Sequence, residues 1–254
     1  MKGSLTRCLA AEAVKSRHAA PRRLALLMPL PMAALGLLVP FGYQSFSPWN
    51  YWYAIFLPVC VALVTGCAAQ ADERCRMRRL RGSGTSPALA WWAKALWCLA
   101  LSALSCLVVL AFYLLGALRT QDGLSAAGAA TMCACALVNV VTVSWMIPTG
   151  LALTERFGLL AGIFVPLGVQ LAGGFAWSTI PLPQLFPPSA TMVIPTSFIP
   201  VLPSGEPLGA DTALGGALAA SGTLNMLGLA VCAGAFLLLC HLTAHLFTTS
   251  EEHA

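Results

Sequence analysis

Apolar and polar positions along this chain fall into long blocks and do not alternate. Apolar runs occupy residues 24–40, 51–69, 95–118, 126–153, 159–180 and 224–247, and none holds a charge. A bilayer's hydrocarbon core is about 30 Å thick and takes roughly 17–25 helical residues to cross. Only a structure that satisfies its own backbone hydrogen bonds survives there, so each run predicts a helix. The pattern therefore predicts an all-α integral membrane protein with six transmembrane helices. Residues 153–158, holding Thr154, Glu155, Arg156 and Phe157, are short enough to be a tight turn, which makes spans four and five a hairpin. Ahead of the first span, residues 4–20 interleave Leu5, Cys8, Leu9 and Val14 with Arg7, Glu12, Lys15 and Arg17. That spacing predicts a short amphipathic helix on the membrane surface, apolar face in the acyl boundary and basic face toward headgroups. Pro21 would break it from the first span. The plainer alternative is a frayed basic tail that serves topology alone.

Composition supports this class, with 9% charged residues against 58% hydrophobic, where soluble domains carry roughly 25% charged. The net charge of +5 is no nucleic-acid signal, because the basic residues flank apolar runs and do not form a domain of their own. They orient the chain instead. With the N-terminus inside, Lys2, Arg7, Lys15, Arg17, Arg22, Arg23, Arg74, Arg76, Arg78, Arg79, Arg81, Lys94 and Arg156 are cytosolic, and of the 14 Lys and Arg only Arg119 falls outside. The positive-inside rule thus predicts both termini in the cytosol, that is, an N-in/C-in topology. A cleaved signal peptide does not fit, since the first apolar run starts after about two dozen mixed residues and lacks a small-residue cleavage site behind it.

Candidate chemistry is sparse. Of the 10 cysteines, Cys60, Cys67, Cys98, Cys106, Cys133, Cys135, Cys232 and Cys240 fall within predicted spans, and Cys8 and Cys75 within cytosolic segments. None lies on an oxidising face, so they read as small packing residues. His241 and His245 stand four apart, but no third ligand accompanies them, and they read as interface side chains without a metal. No Asp, Glu, Lys or Arg lies well inside a span, which argues against an ion-coupled carrier. Gln170, Asn139 and Asn225 are the amides at depth; they read as interhelical hydrogen-bonding groups, with substrate contact as the alternative. No H-E-x-x-H, no G-x-S-x-G and no phosphate-binding Gly-x4-Gly-Lys loop occurs, and the carboxylates read as loop and tail residues without a partner. The chain reads as no enzyme. Any ATP it uses is hydrolysed by another polypeptide.

Aromatic residues gather at two places. Trp49, Tyr51, Trp52 and Tyr53 stand at the outer start of span two, and Trp91, Trp92 and Trp97 at the inner start of span three, as interface belts do. Yet Asn50-Tyr51-Trp52-Tyr53 followed by Leu57-Pro58 is denser than anchoring requires. With Glu12 and Lys15 in the N-terminal segment, these residues resemble the permease subunits of lantibiotic immunity (self-protection) ABC transporters, within the ABC-2 type exporters. The six spans, the basic loop after span two and the long external connection before span six are similar as well.

The resemblance implies an ABC-2 (type V exporter-like) half-transporter in the bacterial cytoplasmic membrane. It implies a coupling element between spans two and three, residues 71–94, that docks on a cytosolic ABC ATPase. Asp72, Glu73, Arg74, Arg76, Arg78, Arg79 and Arg81 would be its candidates. The alternative is that these arginines only orient the protein and bind anionic lipid. Gly82-Ser83-Gly84-Thr85-Ser86-Pro87 marks a break after them. It further implies a second permease, self or related, with ATP bound by the partner ATPase and no cofactor on this chain. The expected cargo is an amphipathic antimicrobial peptide taken from the membrane and expelled.

The external residues 181–222 hold eight of the prolines among apolar side chains such as Leu185, Phe186, Met192 and Ile194. They cannot form one straight helix. Part of this segment either dips into the membrane, as re-entrant helices do in the resembling exporters, or is a stiff loop with a buried underside. Small residues at Gly158-x-x-x-Gly162 permit close helix contact. Two other readings remain: a general ABC-2 drug or lipid exporter, and a non-transporting membrane sensor or assembly module.

Overall fold

Local sequence decides where each helix starts and bends. The computed structural model describes residues 4–38, 47–73, 86–119, 125–199, 201 and 222–252. Helix α1 (Leu5–Lys15) opens on Ser4, whose hydroxyl accepts from the Arg7 amide, and closes with Lys15 in its last turn, where a cation suits the helix dipole. Leu5, Cys8, Leu9, Glu12 and Ala13 are half-buried at helical spacing, and α1 packs along α6, the long helix Pro87–Ala117 described below. The amphipathic helix is thus present but shorter than residues 4–20. Its periodic face packs on protein, while Val14, expected on the apolar side, is 74% exposed.

Helix α2 (Ala20–Leu27) contains Pro21 in its first turn, where the missing N–H costs nothing; the chain breaks at residues 16–19 instead. Where the hydropathy pattern predicts one span over residues 24–40, the structure places α2 and α3 (Leu30–Leu38) with a turn at Met28 and Pro29. Pro29 and Pro31 have no N–H for the carbonyls of Ala25 and Leu27, and their rings crowd those carbonyls, so a continuous helix is interrupted.

Five helices among the described residues are long and apolar enough to cross a membrane: Trp49–Ala71, Pro87–Ala117, Ala126–Phe157, Leu159–Ser178 and Gly222–Thr248. The first is built from α4 (Ser47–Tyr51), a π-helical turn (Trp52–Phe56) and α5 (Leu57–Glu73). Pro58 explains the π turn. It cannot donate to the Ala54 carbonyl and its ring would collide there, and the wider turn lets Leu57 N–H reach back to Trp52 O. Helix α6 (Pro87–Ala117) begins at Pro87 and not at residue 95, so residues 87–94 of the expected loop are helical.

The span expected over residues 126–153 is two helices, α7 (Ala126–Val143) and α8 (Met146–Phe157). Ser125 caps α7 by accepting from Gly128 N at 3.0 Å. The bend at Ser144 and Trp145 follows from Pro148, which offers no N–H to the Ser144 carbonyl; Ile147 N takes that carbonyl at 3.0 Å in a tighter turn. The hairpin to α9 (Leu159–Phe175) turns on Gly158, whose φ of 90° suits a residue without a Cβ.

After α9 come three 3-10 turns, Ala176–Ser178, Pro183–Leu185 and Ile194–Ser197, with the short α10 (Pro187–Val193) before the last of them. Leu182, with φ 53°, is the one non-glycine residue at positive φ among those described, and it directs the chain into Pro183–Leu185. Helix α11 (Gly222–Glu252) completes the bundle.

Helices α5, α8 and α9 pack as a tight trio, and α6 is flanked by α3, α5, α7 and α11. Gly162 of α9 lies against Thr154 Oγ1 and the Gly150 carbonyl of α8, so the close contact expected of Gly158-x-x-x-Gly162 is spent within the chain. The cysteines at 60, 98, 106, 135, 232 and 240 are buried as small core residues.

Candidate functional site: two fastened ends and an aromatic core

The π turn places the aromatic cluster inside the bundle. Trp52, Tyr53 and Leu57 are fully buried, Asn50 and Trp49 almost so, Pro58 is buried, and only Tyr51 is half exposed. Trp49 Nε1 donates to Cys135 Sγ of α7 at 3.1 Å, and its ring meets Tyr113 of α6 edge-on with centroids 6.2 Å apart. Trp49, Trp52 and Tyr53 are therefore core residues and not an interface belt. Residues four apart share a helix face, and this face packs on α6 and α7.

At the other end of the bundle, α6, α8 and α11 converge. Lys94 Nζ lies 3.3 Å from Glu155 Oε1, with side chains 4% and 15% exposed, and 5.9 Å from the Trp91 ring centroid. Two expectations are corrected here: Lys94 is not a solvated loop cation, and Glu155 has a partner. The pair forms because α6 starts early enough to carry Lys94 into the bundle and because the Gly158 turn holds Glu155 beside it. Trp91, also expected in a belt, is 2% exposed, donates to Thr243 Oγ1 at 3.0 Å and stacks on Phe247 at 5.1 Å. Trp92 and Trp97 are half-buried.

Two polar contacts seat α10, and a third orients one of them. Gln170 of α9 accepts from Trp145 Nε1 at 3.1 Å and donates to the Pro188 carbonyl at 3.1 Å, and Ser189 Oγ donates to the Gly173 carbonyl at 2.7 Å. Every residue from 188 to 196 is buried. Gln170 and Asn225, which donates to Ser197 Oγ, bond between elements as expected. Asn139 departs from that expectation, since neither amide atom has a hydrogen-bond partner among the described residues. Removing the fastening should loosen α10. Gln170→Leu strands the Trp145 N–H and the Pro188 carbonyl, each costing about 1–3 kcal/mol when buried. The expected result is a melting temperature lowered by several degrees, read with a thiol-reactive dye that reports the buried cysteines as they become exposed.

The remaining sequence candidates are dispersed. Glu12 and Lys15 pair at 2.6 Å on α1, a half-exposed contact worth only a few tenths of a kcal/mol. Asp72 and Glu73 are the last residues of α5, so that helix runs into the expected coupling segment. Arg74, Arg76, Arg78, Arg79 and Arg81 lie outside the described residues. His241 and His245 are exposed on α11. The Lys94–Glu155 pair was missed by sequence reasoning, and its only signal was one cation inside the apolar stretch Ala90-Trp91-Trp92-Ala93-Lys94-Ala95-Leu96-Trp97. No family model, curated protein or solved structure matches the chain.

Proposed function

We propose that this chain is the membrane half of an ABC-2 type exporter, in which α2 and α3 together make a sixth crossing and both termini face the cytosol of a bacterium. The observation that carries the reading is the Asn50-Tyr51-Trp52-Tyr53 and Leu57-Pro58 segment, which resembles that of lantibiotic self-protection permeases and here forms the buried π turn at the head of a spanning helix. Supporting it are the short amphipathic helix α1 ahead of the first crossing, the buried α10 between α9 and α11, and the continuation of α5 through Asp72 and Glu73 toward the arginine stretch. A phosphate-binding loop is missing from the sequence, so the power stroke is assigned to an ATPase on a partner chain. The motor would push on residues 71–86. The push would pass through α6 and the Lys94–Glu155 pair to the α8–α9 hairpin.

The proposed cargo is an amphipathic antimicrobial peptide entering from the lipid. Two measurements test the proposal. Replacing Arg74, Arg76, Arg78, Arg79 and Arg81 together by Gln should leave the chain in the membrane but abolish its co-purification with the ATPase. Deleting the chain from its host should raise sensitivity to the peptide at least tenfold. Retained co-purification would leave the arginines as topology and lipid contacts only, and unchanged sensitivity would move the cargo to another class of amphiphile or make the chain a non-transporting module.

A further inference from the structure

Tyr53 Oη and both atoms of the Asn139 amide are buried, in residues that are 0% exposed, and have no hydrogen-bond partner among the described residues. Buried polar atoms in folded proteins are nearly always satisfied, by protein or by ordered water. Helical register relates the two side chains. Trp49, which starts the segment Trp49–Ala71, bonds to Cys135 of α7. That segment and α7 are separated in the chain by one long helix, α6, and so run in the same direction across the bundle. One turn on from Trp49 is Tyr53, and one turn on from Cys135 is Asn139, which brings both to the same level. The phenol and the amide do not bond to each other directly.

From this placement we infer that Tyr53 and Asn139 bind ordered water inside the bundle, bridging the π turn to α7. The chemistry selects the ligand. A phenol both donates and accepts, a carboxamide donates through Nδ2 and accepts through Oδ1, and both are neutral, so they match an uncharged hydroxylic molecule and supply no counter-charge for an ion. Water makes two to four hydrogen bonds in such sites. It also exchanges partners when helices shift, so this seam tolerates displacement in a way that the direct Trp145–Gln170–Pro188 fastening does not. The inference stands apart from the export reading.

Hydroxyl-radical labelling by X-ray radiolysis tests it on the full chain in detergent or nanodiscs, because radicals born from bound water oxidise adjacent side chains whatever their access to bulk solvent. Tyr53 should be oxidised within about tenfold of the rate of half-exposed Tyr51, while fully buried Met192 stays unlabelled. Asn139→Leu should cut Tyr53 labelling about tenfold, and Asn139→Ser, which keeps a small polar group, should largely preserve it. Tyr53 as silent as Met192 in the unsubstituted protein overturns the inference. That comparison decides even if Asn139→Leu fails to insert. Labelling of Tyr53 that is unaffected by Asn139→Leu overturns the role of Asn139.

Discussion

Gly162→Ala should lower the melting temperature by several degrees, whereas Gly168→Ala, farther along the same helix α9, should leave it unchanged or raise it. A Cβ at 162 would meet Thr154 Oγ1, with the Gly150 carbonyl oxygen at 2.7 Å and Thr154 Cβ at 2.8 Å, so α8 and α9 must separate. A Cβ at 168 meets nothing within 4 Å. Overpacking of this kind costs about 1–3 kcal/mol, and at this chain length each kcal/mol moves the melting point by roughly 2–4 °C. At 168 only the helix propensity gained by alanine remains, up to about 1 kcal/mol. Helix α11 offers the same comparison. Gly228 sits against the Gln184 carbonyl, with Ile194 Cδ1 3.0 Å from an added Cβ, and Gly234 is open. Gly228→Ala should destabilise by prying α11 from the Pro183–Leu185 turn, and Gly234→Ala should not. If the two alanines on α9 gave shifts of one sign and size, the close α8–α9 approach would be wrong.

The second large effect concerns the buried ion pair. Lys94→Met alone, or Glu155→Leu alone, should destabilise by about 3–5 kcal/mol, because each removes the ion-pair partner of a charge that stays largely buried. Glu155, the more exposed of the two, can partly rehydrate, which places Lys94→Met at the lower end of that range. The double variant should recover most of the loss, since an apolar pair of similar volume avoids the desolvation penalty altogether. A double variant as damaged as the sum of the singles would mean that the two charges act separately and that the pair does not fasten α6 to the α8–α9 hairpin. Breaking the half-exposed Glu12–Lys15 pair provides the contrast, with an expected change of a few tenths of a kcal/mol.

The parts of the fold legible in advance were those written in hydropathy and in local chemistry. The spans near residues 51–69, 95–118, 126–153, 159–180 and 224–247 all correspond to long helices, with most ends displaced by four residues or fewer and the start at 95 moved back to Pro87. The α8–α9 hairpin was legible because a charged turn separates two apolar runs. The interruption of the first run was legible in principle, because Pro29 and Pro31 stand inside it, but hydropathy counts proline as merely neutral and does not register a lost hydrogen bond. The seating of α10 was half legible: prolines excluded a straight helix, while nothing local said that Gln170 would hold the Pro188 carbonyl.

Hydropathy alone was enough to assign the chain to a membrane and to mark its long helices, because an apolar segment of about 20 residues has one low-energy disposition in lipid. Only the tertiary structure decided which side of each helix faces protein. A helix that is apolar all round carries no 3.6-residue signal to orient it. Trp49, Trp52 and Tyr53 could therefore be read as a belt when they are core, and Asn139 as bonded to a neighbouring helix when it has no such partner among the described residues. Lys94 and Glu155, 61 positions apart, pair because an early-starting α6 and the turn at Gly158 bring both charges to one place, where their attraction offsets part of the cost of burying each.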